Sequence, residues 1–199
     1  MHILEGFFIG IATIIFIGPV LFILINASIN NGIVSGFSVA LGIIIGDIIF
    51  AFISFNGVSL FLNNNSYNYI LSIIGVLILF FMGFIYLFKK EAAFNSNIIS
   101  SNKTHFQNFL KGFAINFFNP FVFAYWILFS KYAENKFGGN ATIFIAAMLF
   151  GIFFIDLFKV FLSKKLIPFL NFKRLLFFYK VAGIIMIFFA LRIMFSFLL

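Results

Sequence analysis

Two aspartates, Asp47 and Asp156, stand about halfway along uncharged or nearly uncharged apolar runs, and they are the only aspartates in the chain. A charged carboxylate at the centre of a bilayer costs about 2.5–3.5 kcal/mol on insertion scales. Such a group is therefore kept for a reason. Desolvation favours the neutral carboxyl, so a carboxylate at this depth can take up and release a proton, which is the chemistry of a proton-coupled carrier. Lys159 follows Asp156 by three residues, on the same face of a helix. Asp156 is thus either half of a switchable ion pair or part of a local structural one. Asp47 has no such neighbour in sequence; its alternative is a hydrogen-bonded packing residue.

Two prolines fall inside apolar runs, Pro19 after Gly18 and Pro120 after Asn119. Proline removes a helix donor and clashes with the carbonyl four residues back, here those of Ile15 and Asn116. Backbone groups freed at membrane depth are tolerated where they are buried in protein or line a cavity, and there they can bind a substrate's ammonium or carboxylate. An ordinary kink is the plainer reading of each. Asn116 and Asn119 lie three apart and share a helix face. Their amides either line a pathway or join helices, a bond of about 0.6 kcal/mol on average in membranes. Arg192, seven residues from the end, either snorkels to headgroups or pairs with an intramembrane carboxylate or a substrate. Enzyme chemistry has no foothold. The histidines, His2 and His105, lie outside the apolar runs, there is no zinc-protease or phosphate-loop motif, and five carboxylates are too few for a hard-metal cage. No cofactor and no metal site are expected.

The elements that must position these residues follow from composition. Of the 199 residues, 64% are hydrophobic and 9% charged, with a mean hydropathy of +1.19. A soluble domain carries about a quarter charged residues. A span needs about 20 apolar residues, and six runs meet this, at 7–25, 37–62, 70–88, 112–130, 141–163 and 177–199. They read as helices, because every backbone polar group in lipid needs an internal partner. The first is read as a retained span and not a leader, since MHILEGFF has no basic segment. The second is long enough to tilt. Cysteine is absent, which excludes disulfides and thiolate chemistry.

Lys and Arg set the orientation. The loops after the first, third and fifth spans hold eight of them, and the loops after the second and fourth hold two, Lys131 and Lys136. The positive-inside rule puts the first set in the cytoplasm and both termini outside. The net charge of +8 is then a topology signal, with some contact to anionic lipid, and not a mark of nucleic-acid binding. Tyr67, Tyr69, Tyr86, Tyr132 and Tyr179 fall near span ends, with Tyr125 and Trp126 near the outer end of the fourth, as an aromatic belt would.

The chain divides into residues 1–90, a polar loop 91–110 and residues 111–199, three spans on each side, all within one domain. The halves echo one another. Gly42, Asp47 and Ser54 repeat the spacing of Gly151, Asp156 and Ser163. Gly6-Phe7 matches Gly112-Phe113, and each half has a proline in its first span. Three spans per half make such a repeat inverted, a common build for secondary transporters.

These residues resemble the LysE/RhtB family of bacterial amino-acid exporters over essentially the whole length. Gly18-Pro19 is similar to the end of its first-span Pro-Gly-Pro motif. Gly42-Ile43-Ile44-Ile45-Gly46-Asp47 is similar to its glycine-rich second span. Lys111-Gly112 through Asn116-Phe117-Phe118-Asn119-Pro120 is similar to its fourth-span signature, and Leu191-Arg192 to an ending of its last span. The resemblance implies a multi-pass inner-membrane protein that exports small amino acids or related metabolites against proton entry. Gly18, Pro19, Gly46, Asp47, Asn116, Asn119 and Pro120 would line the path, and Asp47, Asp156, Lys159 and Arg192 would handle protons or form ion pairs. The departures are Ile17 for the usual proline, Val20 for a polar residue and Phe121 for a basic one; they make the path greasier. The expected fold is all-α, six spans in two inverted three-helix repeats. The partners are a small-molecule substrate, protons and membrane lipid, with a homo-oligomer allowed. The alternatives are an exporter of a metal or other inorganic ion, or a membrane assembly or lipid-modifying protein using 164–174 as an interfacial patch.

Overall fold

The structure, a computed structural model, describes residues 1–13, 18–62, 65–88, 104–166 and 172–198. They form α1 (His2–Ala12), α2 (Pro19–Asn30), α3 (Ile33–Leu62), α4 (Asn65–Leu87), α5 (His105–Phe117), α6 (Pro120–Phe137), α7 (Ala141–Phe161), the short α8 (Ser163–Leu166) and α9 (Phe172–Leu198). No strand occurs among the described residues. Each of the six apolar runs carries helix, and two of the six are broken. The first run holds α1 and α2; the fourth holds α5 and α6. The 30 residues of α3 amount to about 45 Å of helix, more than the roughly 30 Å hydrocarbon core, so it tilts or protrudes. Among the described residues, three stretches are long and apolar enough to cross a membrane: Ile33–Phe55, Phe121–Phe161 and Leu175–Arg192. The second of these is two helices, because the chain reverses at Gly138 and stacks Phe137 on Phe144. Gly138 takes φ +50° at that reversal and Gly32 takes φ +85° at the one between α2 and α3, the left-handed region where glycine avoids a side-chain clash.

The helices cross where they have no side chains. α5 lies along α3, α1 along α7, and α4 against α9, and these are the three most extensive contacts. In lipid, close backbone approach replaces the hydrophobic effect as the force between helices. A Cβ on Gly6 would lie 2.5 Å from the Phe144 carbonyl oxygen, and one on Gly10 would strike that of Met148. One on Gly42 would strike the Phe109 carbonyl, and one on Gly112 that of Val39. Gly83 and Gly183 meet in the same way, each Cβ within 3.0 Å of the other's carbonyl. Small-residue spacing in the sequence therefore marks helix packing.

One end of the bundle is tied by charge. Tyr132 Oη donates to Glu5 Oε1 at 2.5 Å, and Lys136 Nζ donates to the same oxygen at 2.6 Å. Glu5 lies before the apolar part of the first run begins. Its carboxyl is held below the usual range by the bonds from Lys136 and Tyr132, and the Lys136 ammonium is held above its own by the bond to Glu5. The tie is exposed, so salt weakens it. It is complete between the ordinary carboxylate and lysine ranges, and is lost as pH falls through the lowered value of Glu5 or rises through the raised value of Lys136.

The packing yields a clean contrast. Gly151→Val puts a branched side chain into the Phe7 carbonyl, whereas Gly75→Ala meets nothing within 4 Å. Overpacking costs about 1–3 kcal/mol, and alanine gains up to about 1 kcal/mol over glycine in a helix. Thermal unfolding in detergent should show Gly151→Val clearly destabilised and Gly75→Ala neutral or stabilised.

Candidate functional site

Asp47 sits in the middle of α3, 5% exposed. Its Oδ1 accepts a hydrogen bond of 2.9 Å from Nε1 of Trp126, on α6. Trp126 is fully buried. A hydrogen bond to a carboxylate contributes about 1.5–3 kcal/mol, and it is the partner a buried acceptor requires. One turn earlier on α3, the Ile43 carbonyl accepts from Asn116 Nδ2 at 2.8 Å. Gly46 makes that bond possible, since a Cβ there would lie 2.9 Å from the Asn116 amide nitrogen. Asn116 is 2% exposed and ends the buried face of α5. It joins α5 to the turn that carries Asp47.

The break in the fourth run lies beside this turn. Asn119 is the N-cap of α6, with Oδ1 accepting from Phe121 N at 3.1 Å. Pro120 occupies the first turn of α6, where a missing N–H is harmless. The proline therefore opens a second helix instead of kinking one. The Asn116 carbonyl, freed by the proline, accepts from Asn119 N at 3.0 Å. The Phe118 carbonyl accepts from Tyr86 Oη at 3.3 Å, a bond from α4 across the fold. In the first run, Pro19 likewise opens α2 behind an extended Gly18. Ile15 lies outside the described residues. Asn116 and Asn119, expected to share a helix face, are separated by the end of α5 and have different tasks.

Asp156 and Lys159 form the ion pair that their spacing allows, Nζ to Oδ1 2.9 Å, on α7. Both side chains are 7% exposed. Asp47, Asn116, Trp126, Asp156 and Lys159 are all buried in a hydrophobic bundle. Both aspartates are buried, each 5% exposed. Arg192 is exposed on α9, and each aspartate has another partner.

The aromatic belt needs correction. Trp126, Tyr86 and Tyr179 are 0%, 8% and 2% exposed. Trp126 holds Asp47, Tyr86 bonds the broken backbone, and Tyr179 packs edge-on against Tyr86 at 4.9 Å. Tyr125, partly buried, packs against the apolar cluster that holds Trp126. Tyr132 alone of the described set keeps an exposed place near the end of the bundle. The side chains of Tyr67 and Tyr69 lie outside the described residues. The signal that was available is the polar tip of Trp and Tyr: a buried indole N–H needs an acceptor, and Asp47 is the acceptor.

A helical bundle with two broken apolar runs, apolar on its outside and carrying buried carboxylates within, fits a multi-pass membrane protein. The sequence model of the LysE type translocator family matches residues 11–196, and the chain belongs to that family. No curated protein and no solved structure matches.

The buried pair predicts a non-additive result. Lys159→Met leaves Asp156 as an unpaired buried charge and should destabilise by about 3–5 kcal/mol. Adding Asp156→Asn removes the charge and should restore most of the loss. Equal damage in the single and double variants, measured by thermal unfolding in detergent, would show that the pair is not what the lysine supports.

Proposed function

We propose that this translocator exports small amino acids or related metabolites across the bacterial inner membrane in exchange for protons. Asp47 carries the coupling proton. Neutralised, it loses the Coulomb attraction to its surroundings and α3 is free to shift against α6; charged, it is held by Trp126. Asp156 with Lys159 is a switchable ion pair within α7. The breaks at Gly18-Pro19 and Asn119-Pro120, with Gly46 and Asn116, line the substrate path. The observation that carries the reading is the bond from Trp126 to Asp47, which puts a titratable group at the joint between an unbroken helix and the second half of a broken one.

The proposal includes the architecture. Residues 1–90 and 111–199 are inverted halves joined by 91–110, six spans in all, with both termini outside. Support comes from reciprocal packing: α1 of the first half lies on α7 of the second, and α5 of the second on α3 of the first. The paired glycine crossings follow the same exchange. Helices broken near a binding site are the usual device for exposing backbone to a substrate.

The test has two stages. Cells loaded with a panel of amino acids and dipeptides, with and without the protein, identify the solute whose efflux depends on it. In vesicles reconstituted with that solute, Asp47→Asn should abolish flux driven by a pH gradient. Unchanged flux would remove Asp47 from the mechanism.

A further inference from the structure

Three serines in α2 and α3 satisfy themselves in the ordinary way, each donating to the carbonyl four residues back: Ser28 to Leu24 at 2.7 Å, Ser35 to Asn31 at 2.9 Å and Ser38 to Val34 at 3.0 Å. Ser54 on α3 and Ser130 on α6 do not. Both are 3% exposed, and each Oγ is buried with no hydrogen-bond partner. A buried hydroxyl left unpaired costs about 1–3 kcal/mol, and a buried polar atom of this kind calls for a water or an ion. The local carbonyl is within reach of any helical serine, so these two hydroxyls have given up the cheap bond.

They lie on two helices that meet. Ser54 lies seven residues, about 10 Å, beyond Asp47 on the same face of α3. Ser130 lies one turn beyond Trp126 on the buried stripe of α6 that also holds Ala133. Phe50, Ala51 and Phe55 of α3 share one apolar cluster with Phe129 and Ala133 of α6 and with Phe144 and Ile145 at the start of α7. The C-terminal halves of α3 and α6 are therefore neighbours, at the end of the bundle where Tyr132 and Lys136 bind Glu5. From Asp47 outward the seam carries the Trp126 N–H, then the two serine hydroxyls, then this ionic cluster.

We infer that the seam between α3 and α6 is a hydrated proton route, lined by Ser54 and Ser130, that connects Asp47 to the end of the bundle bearing Glu5, Tyr132 and Lys136. Water in the seam accepts from and donates to the two hydroxyls and passes a proton by hydrogen-bond exchange. No covalent chemistry is needed beyond protonation of the Asp47 carboxylate. The inference rests on Asp47 being the coupling group, but it concerns water access, which can be measured without any transported solute.

The chain has no cysteine, so single-cysteine variants carry no background. Ser54→Cys and Ser130→Cys change one atom. Each is reconstituted in oriented vesicles and treated with a membrane-impermeant cationic methanethiosulfonate reagent. Asn135→Cys and Asn30→Cys, both exposed, mark the two faces; Ala190→Cys, fully buried on α9, marks a dry interior. A thiol in a dry apolar site is held protonated, and one unit of pKa is tenfold in thiolate. Ser54→Cys and Ser130→Cys should therefore label at least about tenfold faster than Ala190→Cys, from the face on which Asn135→Cys labels. Rates as slow as that of Ala190→Cys, or labelling from the Asn30→Cys face, would overturn the route. Should Ser54→Cys not accumulate as folded protein, Ser130→Cys decides alone. A labelled seam together with unimpaired flux in Asp47→Asn would retain the water path and discard its role in coupling.

Discussion

A carboxylate in hydrocarbon must be neutralised or held, and the bond from Trp126 to Asp47 does the holding. The cost of leaving it alone, several kcal/mol, exceeds what any single helix contact in a membrane returns. The surroundings of Asp47 follow from this. Trp126 is enclosed completely because its N–H has to be delivered to one atom. Gly46 has no side chain because Asn116 must reach across it. Asn119 begins α6 at the point that sets Trp126 at the right distance along the helix. The break in the fourth run thus has a structural purpose besides the backbone it frees: α5 and α6 address the same face of α3 independently, one through Asn116 and the other through Trp126.

The Asp156–Lys159 pair answers the same constraint in another way. There the counter-charge comes from the same helix, one turn on, and no second element is required. A local pair is indifferent to how α7 sits against its neighbours, whereas the Trp126 bond exists only while α3 and α6 keep their registry. Of the two aspartates, Asp47 is the one whose partner stands on another helix.

What was legible in the sequence follows the range of the interactions. The apolar runs, the positions of the two aspartates and the Asp156–Lys159 pair are set by residues within a few turns of each other, and reading along the chain finds them. The breaks were legible as prolines, but their form was not. Pro120 was expected to strain a helix at Asn116, and instead a new helix starts at Pro120 with Asn119 as its cap and the freed carbonyl taken by the Asn119 N–H. Trp126 and Tyr86 were misread as interfacial because their partners are 79 and 32 residues away. Composition places an aromatic residue near a span end; only the crossing of helices decides whether its polar tip meets a headgroup, a carboxylate or an orphan carbonyl. Ser54 was noted for its spacing from Asp47, yet its lack of a local bond appears only in three dimensions.

The bond between Trp126 and Asp47 can be tested directly by infrared difference spectroscopy of the reconstituted protein across pH. The expected result is a carboxyl band that changes with pH, disappears in Asp47→Asn and moves in frequency in Trp126→Phe, as the carboxyl loses its indole donor. A pH-dependent carboxyl band that survives Asp47→Asn unaltered, or an Asp47 band indifferent to Trp126→Phe, would contradict it.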